Sequence, residues 1–252
     1  MTIFVTGCAG FIGSNFCKTF LKRFKKATVV GIDNFATGRR EEVQKGIVFY
    51  EGSILDELLL ETIFTKHKPQ YVFHFAALPR VSFSVAEPVV SAETNIMGTI
   101  KILNAARRHK AKRVIYSSSS SVYGGAKILP TKEKDNLANP RSPYALQKYT
   151  GEPMCKFFSE IYGLDTTCLR YFNVFGPGQY GDSPYATVTS AWLEALYFKG
   201  PSFEGRPFME GDGFQAKDYT YIDNVVEANL LAMKCKRTLQ GEVFNIGSSQ
   251  QI

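Results

Sequence analysis

Tyr144 and Lys148, four positions apart in Ser142-Pro143-Tyr144-Ala145-Leu146-Gln147-Lys148, are the residues of this 252-residue sequence whose spacing points most directly to chemistry. On a helix they share a face, one turn apart. A phenol is a weak base at neutral pH, because its unperturbed pKa is about 10. A nearby ammonium favours the phenolate. A phenolate can exchange a proton with an alcohol while hydride leaves or rejoins the same carbon. Upstream, the apolar segment Arg113-Val114-Ile115-Tyr116 runs into five serines, Ser117 to Ser121, and then Val122-Tyr123-Gly124. A hydroxyl at that strand end can donate to the oxygen being oxidised and share its proton with Tyr144. Taken alone, a tyrosine and a lysine at helical spacing describe an ordinary surface pair. This pair gains weight from following a serine-ended strand in a chain that also carries a hydride-carrier signature.

That signature lies at the N-terminus. The strand Thr2–Thr6 enters Gly7-Cys8-Ala9-Gly10-Phe11-Ile12-Gly13, and a second apolar strand, Ala27 to Ile32, ends at Asp33. Gly7 permits a sharp turn, Gly10 lets backbone approach a pyrophosphate, and Gly13 lets the new helix pack close to the strand. The helix N-terminus offers N–H groups and the positive end of its dipole to phosphates. Asp33, about 20 residues on from the loop, stands where an acid accepts hydrogen bonds from ribose hydroxyls. A glycine triad alone marks only a tight strand–helix turn. Here strand, turn, helix, second strand and acid come in order.

The elements that must position these groups alternate along the chain. Strands are expected at Gly46–Tyr50, Tyr71–Phe75, Arg113–Tyr116 and Thr166–Tyr171, and helices at Asp56 to Lys66, Pro88 to His109 and Pro143 to Tyr162. That rhythm predicts an α/β fold of Rossmann type, a doubly wound parallel sheet with helices on both faces. Ligands in such sheets bind at the carboxyl ends of strands, near the switch in strand order. Residues 1–172 are read as the dinucleotide-binding domain. Residues 173–252 are read mainly as a smaller substrate-binding lobe, with some segments returning to the first domain. Within it, Gly176–Gly181 is loop, Thr187–Phe198 and Tyr221–Lys234 are helical, Lys199–Lys217 is rich in Gly, Pro and aromatics, and Val243–Ile246 is a strand.

Composition narrows the function classes. The hydrophobic content of 44% is ordinary for a globule, and no apolar run approaches the roughly 20 residues that span a bilayer. The net charge of +7 comes from short clusters such as Lys22-Arg23, Lys25-Lys26 and Arg39-Arg40, not from a long basic run. A phosphate-bearing small molecule is the expected partner, with no nucleic acid and no membrane. Five cysteines, an odd number without a C-x-x-C pair, suit a reducing, cytoplasmic compartment, and three scattered histidines predict no metal site.

The Gly-x-x-Gly-x-x-Gly spacing resembles the extended short-chain dehydrogenase/reductases, and further segments carry the same resemblance. His74-Phe75-Ala76-Ala77 is similar to that family's H-x-A-A segment beneath the cofactor. Asn95 in Thr94-Asn95-Ile96-Met97-Gly98-Thr99 matches its structural and cofactor-site asparagine. Arg170-Tyr171-Phe172-Asn173-Val174-Phe175-Gly176-Pro177 and Gly211-Asp212-Gly213 through Asp223-Asn224 resemble its nicotinamide-supporting and nucleotide-contacting stretches. Together they are similar to NAD-dependent nucleotide-sugar epimerases and dehydratases.

The resemblance implies particular roles. Ser119 becomes the catalytic serine, with Ser118 as second choice, beside Tyr144 and Lys148. Adenine contacts fall at Ser53 and Ile54, ribose contacts at Asp33 and Asn34, and nicotinamide contacts at Tyr144, Lys148 and Phe172. The implied cofactor set extends through Gly7, Gly10, Phe11, Ile12 and Gly13, then Phe35, Thr37 and Gly38. It further takes in Phe75, Ala76, Ala77 and Asn95, and finally Ser117, Tyr171 and Val174. Ser119, Tyr144, Asn173 and Lys217 are assigned to a nucleotide-diphosphate sugar. The implied assembly is a homodimer through the two helices flanking the active-site strand.

Within the family, the resemblance separates reactions by the residues before Val-Tyr-Gly. Dehydratases carry an Asp-Glu pair there and decarboxylating members a Glu, whereas this chain has Ser120 and Ser121. What remains is oxidation of a UDP-hexose at C4 and return of hydride to the other face, a 4-epimerisation with retained NAD. An NADP-using reductase is disfavoured by Asp33, which repels a 2′-phosphate, against a small opposing pull from Arg39 and Arg40. A decarboxylase, a dehydratase and a non-catalytic NAD-binding protein are the alternatives. Two departures stand out. Lys217 replaces the usual Arg before Asp218-Tyr219 and cannot form a bidentate fork. Family members also normally continue past residue 252, so the substrate lobe is expected to be short.

Overall fold

The computed structural model describes residues 1–135, 137–181, 188–198, 212, 214 and 216–250. Its centre is a seven-stranded sheet in which every neighbouring pair is parallel. The strands are β1 (Thr2–Thr6), β2 (Thr28–Asp33), β3 (Val48–Glu51), β4 (Tyr71–His74), β5 (Arg113–Ser119), β6 (Thr166–Tyr171) and, after two short lobe strands, β9 (Glu242–Ile246). The spatial order is β3-β2-β1-β4-β5-β6-β9. The chain leaves β1 toward β2 on one side and returns as β4 on the other. The carboxyl ends of β1 and β4 therefore flank the crevice where a doubly wound sheet binds its ligand.

Helices cover both faces. α1 (Phe11–Arg23) and α8 (Ile222–Lys234) lie on one, where Phe16, Phe20, Phe73, Val225 and Leu230 are fully buried. α2 (Glu57–His67), α5 (Gly98–Arg108) and α6 (Pro143–Tyr162) lie on the other, over Phe4, Leu60, Phe64, Ile102 and Tyr116. The helix ends are written in the sequence. The Asp56 carboxylate caps α2 by accepting from Leu59 N at 3.0 Å. The Ser142 hydroxyl caps α6 at 3.1 Å, Pro143 opens its first turn, and Gly163 closes it in the left-handed region.

The structure departs from the sequence expectation in three places that matter for the site. The helix expected over Pro88–His109 is α4 (Pro88–Ala92) and α5 joined by a π-turn, Glu93–Met97, with buried Asn95 at its centre. A short helix, α3 (Val81–Ala86), precedes it. β5 runs on through Ser119 before a 3₁₀ turn, Ser120–Tyr123, so the first three serines are strand residues. The remaining chain forms β7 (Val174–Phe175), paired parallel to β8 (Thr220–Tyr221), and α7 (Val188–Leu193). Of the stretch 199–217, only Asp212, Phe214, Ala216 and Lys217 are described, so the Gly211 and Gly213 positions lie outside the described residues. Among the described residues no helix is long and apolar enough to cross a membrane.

Candidate active site

A cavity of about 500 Å³ opens along the crevice. Its floor is the glycine loop. Gly7 has φ of +70°, and a Cβ there would lie 2.7 Å from Ala76 N. At Gly13 a Cβ would sit 2.1 Å from the Gly7 carbonyl oxygen, so glycine alone lets α1 start against the β1 turn. Gly10 is the N-cap of α1, and no side chain caps that helix. Its first-turn N–H groups, at Phe11, Ile12 and Gly13, have no partner within the helix and border the cavity. An uncapped helix start with no side chain over it fits a pyrophosphate.

Asp33 stands at one end of the cavity, together with Asn34, Thr37, Ser53 and Ile54. One carboxylate oxygen accepts from Ala9 N at 2.9 Å and the other from Phe35 N at 2.8 Å. Burial pushes the Asp33 carboxyl above its ordinary value, while the Ala9 and Phe35 hydrogen bonds pull it back. The acid is thereby fixed with lone pairs left for ribose hydroxyls. The two arginines nearby are committed elsewhere. Arg40 pairs with Glu51 at 2.7 Å and lies over the Phe35 ring, and Arg39 lies over the Tyr180 ring.

Toward the other end the walls are Phe75, Ala76, Ala77 and Val174, with Leu78, Pro79 and Arg80 beyond them. The wall at Leu78 is pinned by Asn95, whose amide accepts from Leu78 N at 2.8 Å and donates to Leu78 O at 3.1 Å. The Asn95 amide also donates to Gln147 Oε1 at 2.7 Å, and Gln147 Nε2 donates to Ser91 Oγ at 2.8 Å. The π-turn thus ties the cavity wall to the residue preceding Lys148. Below the wall, Thr99 Oγ1 donates to Asn95 O at 2.7 Å, so it accepts from His74 Nε2 at 3.0 Å. His74 Nδ1 then accepts the Thr6 hydroxyl at 2.7 Å. This histidine is neutral: burial, then Lys148, holds its pKa down to about 3.

The proton-transfer residues are not among those lining the cavity; they cluster beyond Arg80, whose charge acts on Tyr144. Tyr144, in the first turn of α6, is half-buried, and its N–H donates to Ser84 Oγ of α3 at 3.0 Å. Its phenol lies near enough to the Ser119 hydroxyl for that group to favour the phenolate. Ser118, the other candidate serine, faces away: its buried hydroxyl donates to Glu152 Oε1 at 2.5 Å. Side chains alternate across a strand, so adjacent serines of β5 serve opposite faces. Lys148 is 4% exposed, and its ammonium donates to Ser117 O at 2.9 Å. Burial brings the Lys148 amine down to about 8.

Burial pushes the Tyr144 phenol up to about 12, opposed first by the Ser119 hydroxyl and then by Arg80. Lys148 uses one of its three N–H donors on the Ser117 carbonyl. Arg80, half-buried at the cavity wall, is the cation that acts on Tyr144, and its own charge is disfavoured first by burial.

The other assigned residues are placed as follows. Asn173, at φ of +23°, donates to Asp218 O at 2.8 Å, which brings it beside exposed Lys217. Phe172 is half-buried and its ring lies 6.3 Å from that of Tyr123. Ser117 Oγ and Tyr171 OH bond each other at 3.2 Å, and Asn229 Nδ2 donates to Tyr171 OH at 2.9 Å, which makes both a buried support for β5 and β6. Gly38 packs on the Ala9 carbonyl, and the Phe35 ring packs on Phe49 at 5.6 Å. Sequence reading missed Arg80, Gln147, Glu42 and Tyr180. None belongs to a spaced pattern; each matters because loops distant in sequence meet.

Comparison with known proteins agrees with this geometry. The sequence model of the NAD dependent epimerase/dehydratase family matches residues 3–247. A UDP-glucose 4-epimerase of Halalkalibacterium halodurans is 33% identical over 258 residues, covering 99% of this chain and 76% of the relative. A UDP-N-acetyl-alpha-D-glucosaminuronate decarboxylase of Bacillus cytotoxicus is 35% identical over 254 residues, covering 98% and 75%. The crystal structure of a UDP-glucose 4-epimerase from Thermotoga maritima with UDP-glucose superimposes with a TM-score of 0.92 at 39% identity, covering all of this chain and 78% of that one. The chain belongs to the NAD-dependent epimerase/dehydratase family, and NAD is its cofactor.

Proposed function

We propose that the protein epimerises a nucleotide-diphosphate sugar, of the UDP-hexose class, at C4 through a transient 4-keto sugar. The observation that carries this reading is the hydroxyl surround of Tyr144. Ser119 is the hydroxyl that favours its phenolate, and the next side chain is the Ser121 hydroxyl, 2.9 Å from Ser119 Oγ, where an eliminating or decarboxylating site needs a carboxyl acid. When bound, NAD supplies the hydride acceptor and donor at the reacting carbon. The chain's own residues handle the proton. Tyr144 takes it from the C4 hydroxyl, with Ser119 donating to the phenolate, and returns it when the alcohol is restored. Lys148 holds ribose hydroxyls from its place under the β5 end, and Asp33 holds those at the other end of the cavity. Asn173 and Lys217, joined by the β7–β8 pairing, are assigned to the sugar and its diphosphate.

The division into a cofactor domain over 1–172 and a substrate lobe over most of 173–252 is part of the same proposal, and so is a homodimer. Leu146, Tyr149, Phe157 and Ile161 form an exposed apolar stripe along α6, which supports pairing through that helix. Sedimentation equilibrium tests it: a monomer at micromolar concentration contradicts it.

The reaction is tested by NMR product analysis with UDP-glucose, UDP-N-acetylglucosamine and UDP-glucuronate in parallel. The expected product from at least one is its 4-epimer, with no net NADH and no solvent deuterium at C5. A UDP-pentose, a 4-keto-6-deoxy sugar or stoichiometric NADH contradicts the reading.

A further inference from the structure

The loop after β7 crosses the cavity. Gly178, Gln179 and Tyr180 line it together with Gly10 and Phe11 of the glycine loop and with Arg39 and Glu42 from the segment after β2. The loop is held at both banks. On one, Asn15 of α1 donates to Pro177 O at 3.0 Å. On the other, Tyr180 OH donates to Glu42 Oε1 at 2.6 Å, and the Arg39 guanidinium lies 3.5 Å from the centroid of the Tyr180 ring. Those partners are themselves fastened: Arg39 N donates to Ala9 O of the glycine loop at 3.1 Å, and Glu42 N donates to Arg39 O at 3.0 Å. The loop's own shape is set from within. Gln179 Nε2 donates to Val174 O at 3.0 Å, and Gly176 and Gly178 take positive φ angles of 148° and 84°.

We infer that Tyr180, gripped by Arg39 and Glu42, is a clasp over the dinucleotide cavity that sets how fast NAD enters and leaves. The contacts that hold the clasp are between protein groups. They must therefore part for passage in either direction, whichever way the cofactor moves. A side chain that simply touched NAD would slow exit alone. A clasp slows entry and exit together and leaves the equilibrium affinity nearly unchanged. The cation–π contact and the charge-assisted hydrogen bond also predict graded behaviour, because Tyr180→Phe keeps the ring over Arg39 and removes only the hydroxyl. A slow clasp suits a site in which the same NAD serves many turnovers, but the inference rests only on the cavity and its cofactor, not on which sugar is used.

The test is a pair of rates measured without substrate. Release is followed by chasing labelled NAD from the loaded protein with unlabelled NAD on rapid filtration. Entry is followed by stopped-flow quenching of protein fluorescence when NAD is added to stripped protein. Tyr180→Ala is expected to speed both rates about tenfold or more, with Kd moving less than threefold. Tyr180→Phe and Glu42→Gln should fall between the variant and the parent. Unchanged rates in Tyr180→Ala overturn the inference, and so does faster release with unchanged entry, which makes Tyr180 a cofactor contact instead. Tyr180 is exposed and Glu42 half-buried, so circular dichroism should report a folded protein in each case.

Discussion

Ser121 Oγ donates to Ser119 Oγ at 2.9 Å, and the Ser121 N–H reaches the same oxygen at 3.2 Å. Ser119 accepts twice from residue 121, so its single proton is left to face the Tyr144 phenol. Ser121 therefore orients the hydroxyl that touches the phenol. Ser121→Ala should lower turnover about fivefold, the equivalent of roughly 1 kcal/mol for one neutral hydrogen bond, with NAD content unchanged. Ser121→Thr should restore it. Initial rates on NAD-loaded protein measure both, and an unaffected Ser121→Ala enzyme removes the orienting role.

The phenol itself makes a second prediction. Burial, only partly opposed by Ser119 and Arg80, leaves Tyr144 at about 12, well above what a base for an alcohol needs near neutrality. The tyrosinate absorbance assigned to Tyr144, by difference from Tyr144→Phe, should therefore titrate near 12 in cofactor-free protein and move down when NAD is bound. No movement on loading leaves the phenol without the means to act as a base.

His74 ties stability to pH. Its folded pKa lies near 3, below the ordinary 6.5 it regains on unfolding. Above pH 6.5 the ring is neutral in both states, and its contribution is fully present. As pH falls from 6.5 toward 3 the unfolded chain takes the proton and stability is lost, at up to about 1.4 kcal/mol per pH unit. Urea midpoints measured from about pH 7 to pH 4 should fall more steeply for the parent than for His74→Gln.

Behind Ser119 lies a buried ion pair. Arg170 Nη2 and Nε reach the two Glu152 carboxylate oxygens at 2.6 and 2.8 Å, and the guanidinium lies 4.6 Å from the Tyr123 ring centroid. Both side chains are nearly inaccessible, at 7% and 4% exposure. Arg170→Met leaves a buried carboxylate unpaired, which costs about 3–5 kcal/mol. Because Ser118 also donates to Glu152, β5 should loosen next to Ser119, and turnover should drop with stability. Urea unfolding of the variant checks the first, and rates at low temperature check the second.

Cofactor choice is tested at Asp33. Of the two arginines near Asp33, Arg39 lies over the Tyr180 ring and Arg40 pairs with Glu51, so neither is poised to receive a 2′-phosphate in place of the acid's charge. Asp33→Ala should weaken NAD by tenfold or more and NADP far less, as read by calorimetry. Tighter NADP than NAD binding to the parent protein contradicts the ribose assignment.

The sequence made the sheet and the cofactor end legible because both rest on local rules. Strand composition, helix caps and the glycine spacing each act within a few residues, and Gly7 and Gly13 make the tight turn their positions imply. The serine run was ambiguous until the strand was seen to reach Ser119, since only then does alternation send Ser118 to Glu152 and Ser119 to Tyr144. The π-turn at Asn95 has no sequence period of its own. Its register follows from tertiary hydrogen bonds to Leu78 and Gln147. Helical spacing places Lys148 one turn from Tyr144 but does not reveal the Ser117 carbonyl that accepts from its ammonium.

The most direct measurement is the turnover of Tyr144→Phe in its folded, NAD-loaded form. The ring still packs and only the ionisable oxygen is lost. If Tyr144 carries the proton, kcat should fall by about three orders of magnitude or more, within the range general acid–base catalysis contributes together with phenolate electrostatics, while NAD content stays near that of the parent. A Tyr144→Phe protein that retains NAD and converts a UDP-hexose at the parent rate would contradict the assignment and return Tyr144 and Lys148 to a structural pair.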